Sequence, residues 1–189
     1  MDPVSPDGDL IRSAQLGDHH AFTELIHGCD NRMRGLAYRL MGSQPAMDDA
    51  LQDAYLKAYR KLGTYDGRAA FSTWLYSVVY RTCLDHLRKR KRQAEVSLEV
   101  VADATPDGPG HEERTATRDA VRRALAALPP DQAAAITLVD GEGLSYDEAA
   151  VVLDTKPGTV ASRLNRARST LRSLLTDDDQ PGSEAGGAR

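Results

Sequence analysis

An all-α fold, divided into two small helical domains joined by a flexible linker, is the architecture that this sequence predicts, and three observations carry it. Apolar residues recur at spacings of three and four through most of residues 9–92 and again from residue 121 onward. Aromatic residues make up only 5% of the 189, while Ala, Leu and Arg, all good helix formers, are plentiful; strands would ask for β-branched and aromatic residues instead. Between the two periodic stretches lies Ala102-Asp103-Ala104-Thr105-Pro106-Asp107-Gly108-Pro109-Gly110, which cannot continue a helix and has little to bury.

Taken in order, residues 1–8 are rich in Pro, Asp and Gly and are expected to be disordered. The first domain is expected over 9–92. Phe22, Leu25, Ile26, Cys29, Met33, Leu36, Ala37 and Leu40 form one stripe on a long helix that ends near Gly42. A second helix follows Pro45, with Met47, Leu51, Ala54, Tyr55, Ala58 and Leu62 turned inward. A turn from Gly63 to Arg68 breaks the pattern. A third long helix carries Phe71, Trp74, Leu75, Val78, Val79, Cys83 and Leu87 and runs out into Arg88-Lys89-Arg90-Lys91-Arg92. Residues 93–113 form the expected linker, and 114–175 the second domain. There Val121, Ala124, Leu125 and Leu128 resume the periodicity, Pro130 suits a helix start, and the next helix stops near Gly141-Glu142-Gly143. Residues 176–189 read as an acidic, Gly-rich tail.

Apolar residues are 41% of the chain, so burial is possible, but two cores must each be small. The formal net charge of -4 means that any nucleic-acid contact must come from local basic stripes. No signal-peptide pattern or membrane-length apolar run is present, which predicts a cytoplasmic protein. Cys29 and Cys83 match neither zinc spacing nor CxxC, fall on apolar stripes, and are expected to be buried, inert thiols. None of the histidines sits in a metal or nucleophile motif, so no catalytic residue, metal, cofactor or small-molecule substrate is expected.

The C-terminal part carries the most specific local signal. Ser145-Tyr146-Asp147-Glu148 has the form of a capping box, opening a short helix from Tyr146 to Leu153. Asp154-Thr155-Lys156 is a tight turn, and Pro157 opens a second helix. Two helices across so short a turn make a helix-turn-helix. On the second helix Val160, Leu164, Ala167, Leu171 and Leu174 form the inward stripe, with Thr159, Ser162, Arg163 and Arg166 on the other side. From Lys156 to Arg172 the basic residues Lys156, Arg163, Arg166, Arg168 and Arg172 meet no acidic one. An ordinary solvated helix mixes signs; a one-sign basic helix after a tight turn suits the major groove of DNA.

A second basic concentration spans 81–92, where Arg81, Arg88, Lys89, Arg90, Lys91 and Arg92 face only Asp85. It extends the helix that begins with Phe71, Trp74, Tyr76 and Tyr80. Rings beside cations suit single-stranded nucleic acid, whose bases stack and whose phosphates pair. Trp74 is more simply a core residue, and the turn residues Tyr65, Asp66 and Arg68 are the better candidates for contact. On the helix after Pro45, Asp49, Gln52, Asp53 and Leu56 share an outer face, and an apolar Leu within an acidic stripe suggests docking.

Asp48-Asp49-Ala50-Leu51-Gln52-Asp53-Ala54-Tyr55-Leu56-Lys57-Ala58-Tyr59 resembles the polymerase-docking segment of extracytoplasmic-function (ECF) sigma factors, members of the sigma-70 superfamily. Phe71-Ser72-Thr73-Trp74-Leu75 and Leu84-Asp85-His86-Leu87-Arg88-Lys89-Arg90 look like the helix that follows in that family. Leu128-Pro129-Pro130, Glu142-Gly143-Leu144-Ser145-Tyr146-Asp147-Glu148-Ala149-Ala150 and Gly158-Thr159-Val160-Ala161-Ser162-Arg163-Leu164-Asn165-Arg166-Ala167-Arg168 resemble its C-terminal DNA-binding domain. The resemblance implies a sigma region 2 domain and a sigma region 4 domain. Asp49, Gln52, Asp53 and Leu56 would dock on core RNA polymerase, through its β′ clamp, with the β subunit as a further contact. Tyr65, Asp66, Arg68, Arg81, Arg88, Lys89 and Arg90 would serve -10 melting. Lys156, Thr159, Ser162, Arg163, Asn165, Arg166 and Arg168 would serve -35 recognition.

The chain departs from the family at Ala161 and Asn165, where many members have Lys and His, and at Asp154, where Gly is common. The resemblance also implies an anti-sigma factor as a partner, beside core polymerase and promoter DNA. The alternative is a stand-alone helix-turn-helix regulator, which would need a dimerisation surface and leaves the docking-like first domain without a role.

Overall fold

The computed structural model describes residues 7–96, 121, 123–125 and 127–177. In the first domain, α1 (Asp7–Gln15) turns at Gly17, φ 100°, into α2 (His19–Met41). Asp18 caps α2, its carboxylate accepting from the His20 and Ala21 amides at 2.8 and 3.2 Å. The left-handed Gly42 closes α2, its amide donating to the Tyr38 carbonyl. α3 (Gln44–Lys61) starts with Pro45 in its first turn, runs into a 3₁₀ turn, Leu62–Thr64, and is followed by α4 (Phe71–Val96). α2, α3 and α4 pack on one another and α1 lies against α2. Met33, Leu36, Leu51, Leu62, Phe71, Leu75, Val79 and Cys83 fill the centre. Buried Ala50, Ala54 and Ala58 recur every four residues on α3 and leave room for close helix approach.

The second domain holds the helical residues 121 and 123–125, then α5 (Pro130–Ile136), a single π-helical turn (Thr137–Gly141), α6 (Tyr146–Leu153) and α7 (Pro157–Asp177). α7 packs across α5 and α6. Its core is Ala133, Ala134, Leu138, Ala149, Val152, Leu153, Val160, Leu164 and Ala167. Both domains are helical, as expected.

Several expectations need correction. α1 begins at Asp7, within the stretch expected to be disordered, and α4 continues to Val96, beyond the expected linker start at residue 93. Terminal helical turns carry little sequence signal, so such boundaries are weakly specified. The rest of the expected linker, 97–113, and the tail from 178 lie outside the described residues. Leu174 is exposed and Leu171 half-buried, because α7 extends past the helices that cover its first turns. Cys29 and Trp74 are half-buried rather than buried.

The larger departure is that the domains pack against each other. α2 contacts α5 and the π turn, and α4 contacts α6. Covered on both sides, α4 buries Phe71, Leu75, Val79 and Cys83 of its expected stripe together with Thr73, Tyr76, Ser77, Tyr80 and Thr82, while Trp74, Val78 and Leu87 are half-buried.

Candidate nucleic-acid interface

The helix-turn-helix is built by local chemistry. The Glu148 amide donates to Ser145 Oγ at 3.2 Å, and the Ser145 amide donates to Glu148 Oε2 at 2.9 Å, the reciprocal pair of a capping box. The Ser145 side-chain and backbone bonds hold the Glu148 carboxyl below its ordinary range. α6 ends at Asp154, whose φ of 51° places it in the left-handed region. The Thr155 amide reaches back to the Ala150 carbonyl at 3.0 Å, closing the turn. The Lys156 carbonyl then accepts from the Thr159 and Val160 amides, which starts α7 with Pro157 at its head.

Along α7, Val160, Leu164 and Ala167 are buried, while Lys156, Ser162, Asn165, Arg166 and Arg168 are exposed. Thr159 is half-buried. Arg163 departs from the outward position expected of it. Its side chain is only 25% exposed and its Nε lies 3.0 Å from Asp131 Oδ2 on α5. Arg168 donates twice to Asp140 of the π turn, at 3.0 and 2.6 Å. The Arg163 and Arg168 guanidiniums are therefore held by acids of their own domain, which fixes their direction and partly neutralises them. Sequence reasoning missed Asp131 and Asp140, because neither lies at helical spacing from the arginine that it meets.

The turn before α4 is braced from three directions. Gln15 Nε2 donates to the Leu62 and Tyr65 carbonyls at 3.1 and 3.0 Å. The Tyr65 hydroxyl donates to the Ala69 carbonyl at 2.7 Å, and its ring packs edge-on to Phe71 and tilted on Trp74. Gly67, φ 75°, makes the bend, and exposed Arg68 pairs with exposed Asp66 at 3.0 Å. A half-buried ring cluster at the rim of a rigid turn can offer an edge or face to a base. Gln15 was not anticipated; nothing in its neighbourhood marks it as a brace.

On α4, Arg88, Lys89 and Arg90 are exposed; Arg88 Nη1 lies 3.4 Å from Asp85, and Arg90 Nη1 donates to the Met41 carbonyl at the end of α2 at 3.4 Å. Arg81 is exposed and lies 3.4 Å from Asp154 of the helix-turn-helix. On α3, Asp49, Gln52, Asp53 and Leu56 all face solvent, and Leu56 is 50% exposed although long and apolar. Asp53 pairs with His86 Nε2 at 2.9 Å, so α4 anchors one end of this stripe. Among the described residues no group of His, Cys, Asp and Glu is arranged to hold a metal ion, and no helix is long and apolar enough to cross a membrane.

Comparisons with known proteins match both domains. Residues 25–93 match the family described as Sigma-70 region 2, and residues 118–171 that described as Sigma-70, region 4. The chain is 38% identical over 172 residues to the ECF RNA polymerase sigma factor SigM of Mycobacterium tuberculosis, covering 89% of this chain and 84% of that one. It is 35% identical over 180 residues to the RNA polymerase sigma-H factor of Pseudomonas aeruginosa, covering 89% and 93%. Among solved structures, it is similar to the sigma factor RpoE of Bartonella quintana, seen in complex with the anti-sigma factor NepR. The TM-score there is 0.73 at 28% identity, over 83% of this chain and 98% of the other. CnrH, solved with the cytosolic domain of CnrY, shares the fold with a TM-score of 0.67 at 23% identity, over 93% and 100% of the two chains.

Proposed function

The chain belongs to the ECF RNA polymerase sigma factors, and we propose a division of labour in which its first domain engages polymerase and opens the -10 element while its second reads the -35 element as duplex. The observation that carries this reading is α7: a helix whose charges are all basic as far as Arg172, opened by a tight turn, in the same chain as an exposed acidic and apolar face on α3. Lys156, Thr159, Ser162, Arg163, Asn165, Arg166 and Arg168 are assigned to -35 DNA. Base edges fall to the first turns of α7 and phosphates to its later arginines. Asp49, Gln52, Asp53 and Leu56 are assigned to the polymerase. There the apolar Leu56 would leave water while the carboxylates meet cations at the rim.

Tyr65, Asp66 and Arg68 are assigned to a base extruded from the -10 element, with Arg81, Arg88, Lys89 and Arg90 holding the strand by its phosphates. The factor performs no catalysis of its own in this reading, needs no cofactor, and works where polymerase works, in the cytoplasm. An anti-sigma factor is proposed as a further partner, in line with the complex in which the similar RpoE was solved. The stand-alone regulator is not favoured: the similarity to RNA polymerase sigma factors runs over 89% of this chain, and the first domain has no role in a simple repressor.

The test is transcription by core polymerase on a genomic fragment library, with and without the chain. New, promoter-specific transcripts that depend on the chain support the reading. Duplex binding by the chain with no chain-dependent transcript contradicts it.

A further inference from the structure

We infer that Asp131 is a positioning residue for the -35 reading proposed above: from α5 its carboxylate holds Arg163 by one edge, so that the guanidinium meets DNA in one direction and discriminates between bases. This role rests on that reading, because only a base-reading arginine needs a fixed direction. Arg163 Nε lies 3.0 Å from Asp131 Oδ2, and the Arg163 side chain is only 25% exposed. A guanidinium carries N–H donors on Nε and on both Nη atoms. A contact at Nε leaves the Nη1–Nη2 end for another partner, and that end matches the paired acceptors O6 and N7 of guanine.

The same helix shows what other arrangements do. Arg168 gives both Nε and Nη2 to Asp140, at 3.0 and 2.6 Å, so its side-on donors are committed. Arg166 is exposed and has no ion pair among the described residues. Arg163 combines a fixed direction with an open end, which neither of the others does.

Asp131 is itself held in place. Pro130 opens α5, and the Pro129 carbonyl accepts from the Gln132 and Ala133 amides at 2.9 Å, which fixes the turn that carries Asp131. Ala133 and Ala134, next along α5, are buried and small, and α7 packs across them. On α7, Val160, Leu164 and Ala167 have no exposure, so the helix cannot roll and carry Arg163 away from the carboxylate.

Two physical effects follow from this grip. Ordering a long side chain on binding costs rotamer freedom, and a side chain already held has lost that freedom before DNA arrives. The carboxylate also cancels part of the arginine's charge, which weakens its pull on any phosphate while leaving its hydrogen bonds to a base edge. Both effects raise discrimination rather than bare affinity. The pair is partly exposed and adds little to the fold, so its removal is felt in reading rather than in stability.

The test is transcription by core polymerase from a library randomised at the -35 element, with the full chain as wild type, Asp131→Ala, Arg163→Ala or the two changes together. Fluorescence anisotropy with a random-sequence duplex runs beside it. Asp131→Ala should flatten the base preference several-fold at the same position that Arg163→Ala flattens, and leave the other positions as they are. Random-sequence binding should tighten, because an acid has gone. The double variant should be no flatter at that position than Arg163→Ala, since the two residues act as one unit. An unchanged preference in Asp131→Ala, a loss spread over all positions, or a double variant flatter than Arg163→Ala overturns the role of Asp131. So does random-sequence binding that falls together with the preference, the mark of a merely structural residue. A wild-type chain with no -35 preference would sink the -35 reading itself, and the role of Asp131 with it.

Discussion

Cys83 sits with no exposure in the first core, and burial pushes its thiol up to about 12. Thiolate is the reactive form, so at neutral pH Cys83 is doubly protected, by access and by protonation. Cys29 is only half-buried. Iodoacetamide labelling of the native chain, read by mass spectrometry, should modify Cys29 well before Cys83; equal rates would mean that the core opens around α4 far more readily than its packing implies. Arg168 poses a different question. Its two bonds to Asp140 steer it along the domain surface rather than toward the first turns of α7. Arg168→Ala is therefore expected to weaken all duplex sequences alike and to reduce the salt slope by about one unit. Titrations at several salt concentrations check this, and a loss confined to some sequences would assign Arg168 to base reading instead.

At the scale of elements, α2 and α3 are joined by a network in which the Tyr55 hydroxyl donates to Asp30 at 2.7 Å and Arg34 bridges Asp30 and Asp48 at 2.8 and 2.9 Å. Burial alone would raise the Asp30 carboxyl, but the bonds from Tyr55 and Arg34 outweigh it and hold the group below its ordinary range. A carboxyl lowered in the folded state contributes stability that is fully present above its unfolded value. That stability is lost as pH falls through the lower, folded value. Asp30→Asn should cost about 1 kcal/mol near neutral pH. The gap between the two thermal unfolding curves should close below about pH 4. A gap independent of pH would place the effect in packing rather than charge.

The helix-turn-helix was the most legible element, because its signals are local: a capping box four residues long, a three-residue turn, a proline at a helix start. The stripe of α2 and the inward positions Met47, Leu51, Ala54 and Ala58 of α3 were legible for the same reason, whereas Ala50, equally buried, was not anticipated. What could not be read is tertiary. Nothing in the spacing of Thr73, Tyr76, Ser77 and Thr82 distinguishes a face turned to water from one covered by a second domain. Arg163 sits on the outward face by periodicity, yet it is half-covered because Asp131, on another helix, draws it in. Leu56, by contrast, was anticipated as an apolar residue on a polar face, and it is exposed.

For the whole molecule, the account makes two surfaces separable. Asp49 and Asp53 lie on the outer face of α3, away from α7, and Asp53 loses only an exposed pair with His86 when changed. Such pairs contribute about 0–1 kcal/mol, so Asp49→Arg with Asp53→Arg should keep the fold, seen as an unchanged circular dichroism spectrum. It should weaken capture of core polymerase at least tenfold, which corresponds to about 1.4 kcal/mol. Undiminished capture would place the docking face elsewhere.

The central claim is that this one chain brings polymerase to promoters and that α7 does the reading. It is tested most directly by transcription from a promoter library randomised at the -35 element, using core polymerase with no added factor, with the wild-type chain, or with Arg163→Ala. The account predicts no selected transcripts from core alone and a defined -35 preference with the wild-type chain. Arg163→Ala should relax that preference at one position, at a cost of about 1–3 kcal/mol. Transcripts that are the same with and without the chain, or a -35 preference that Arg163→Ala leaves identical at every position, would contradict it.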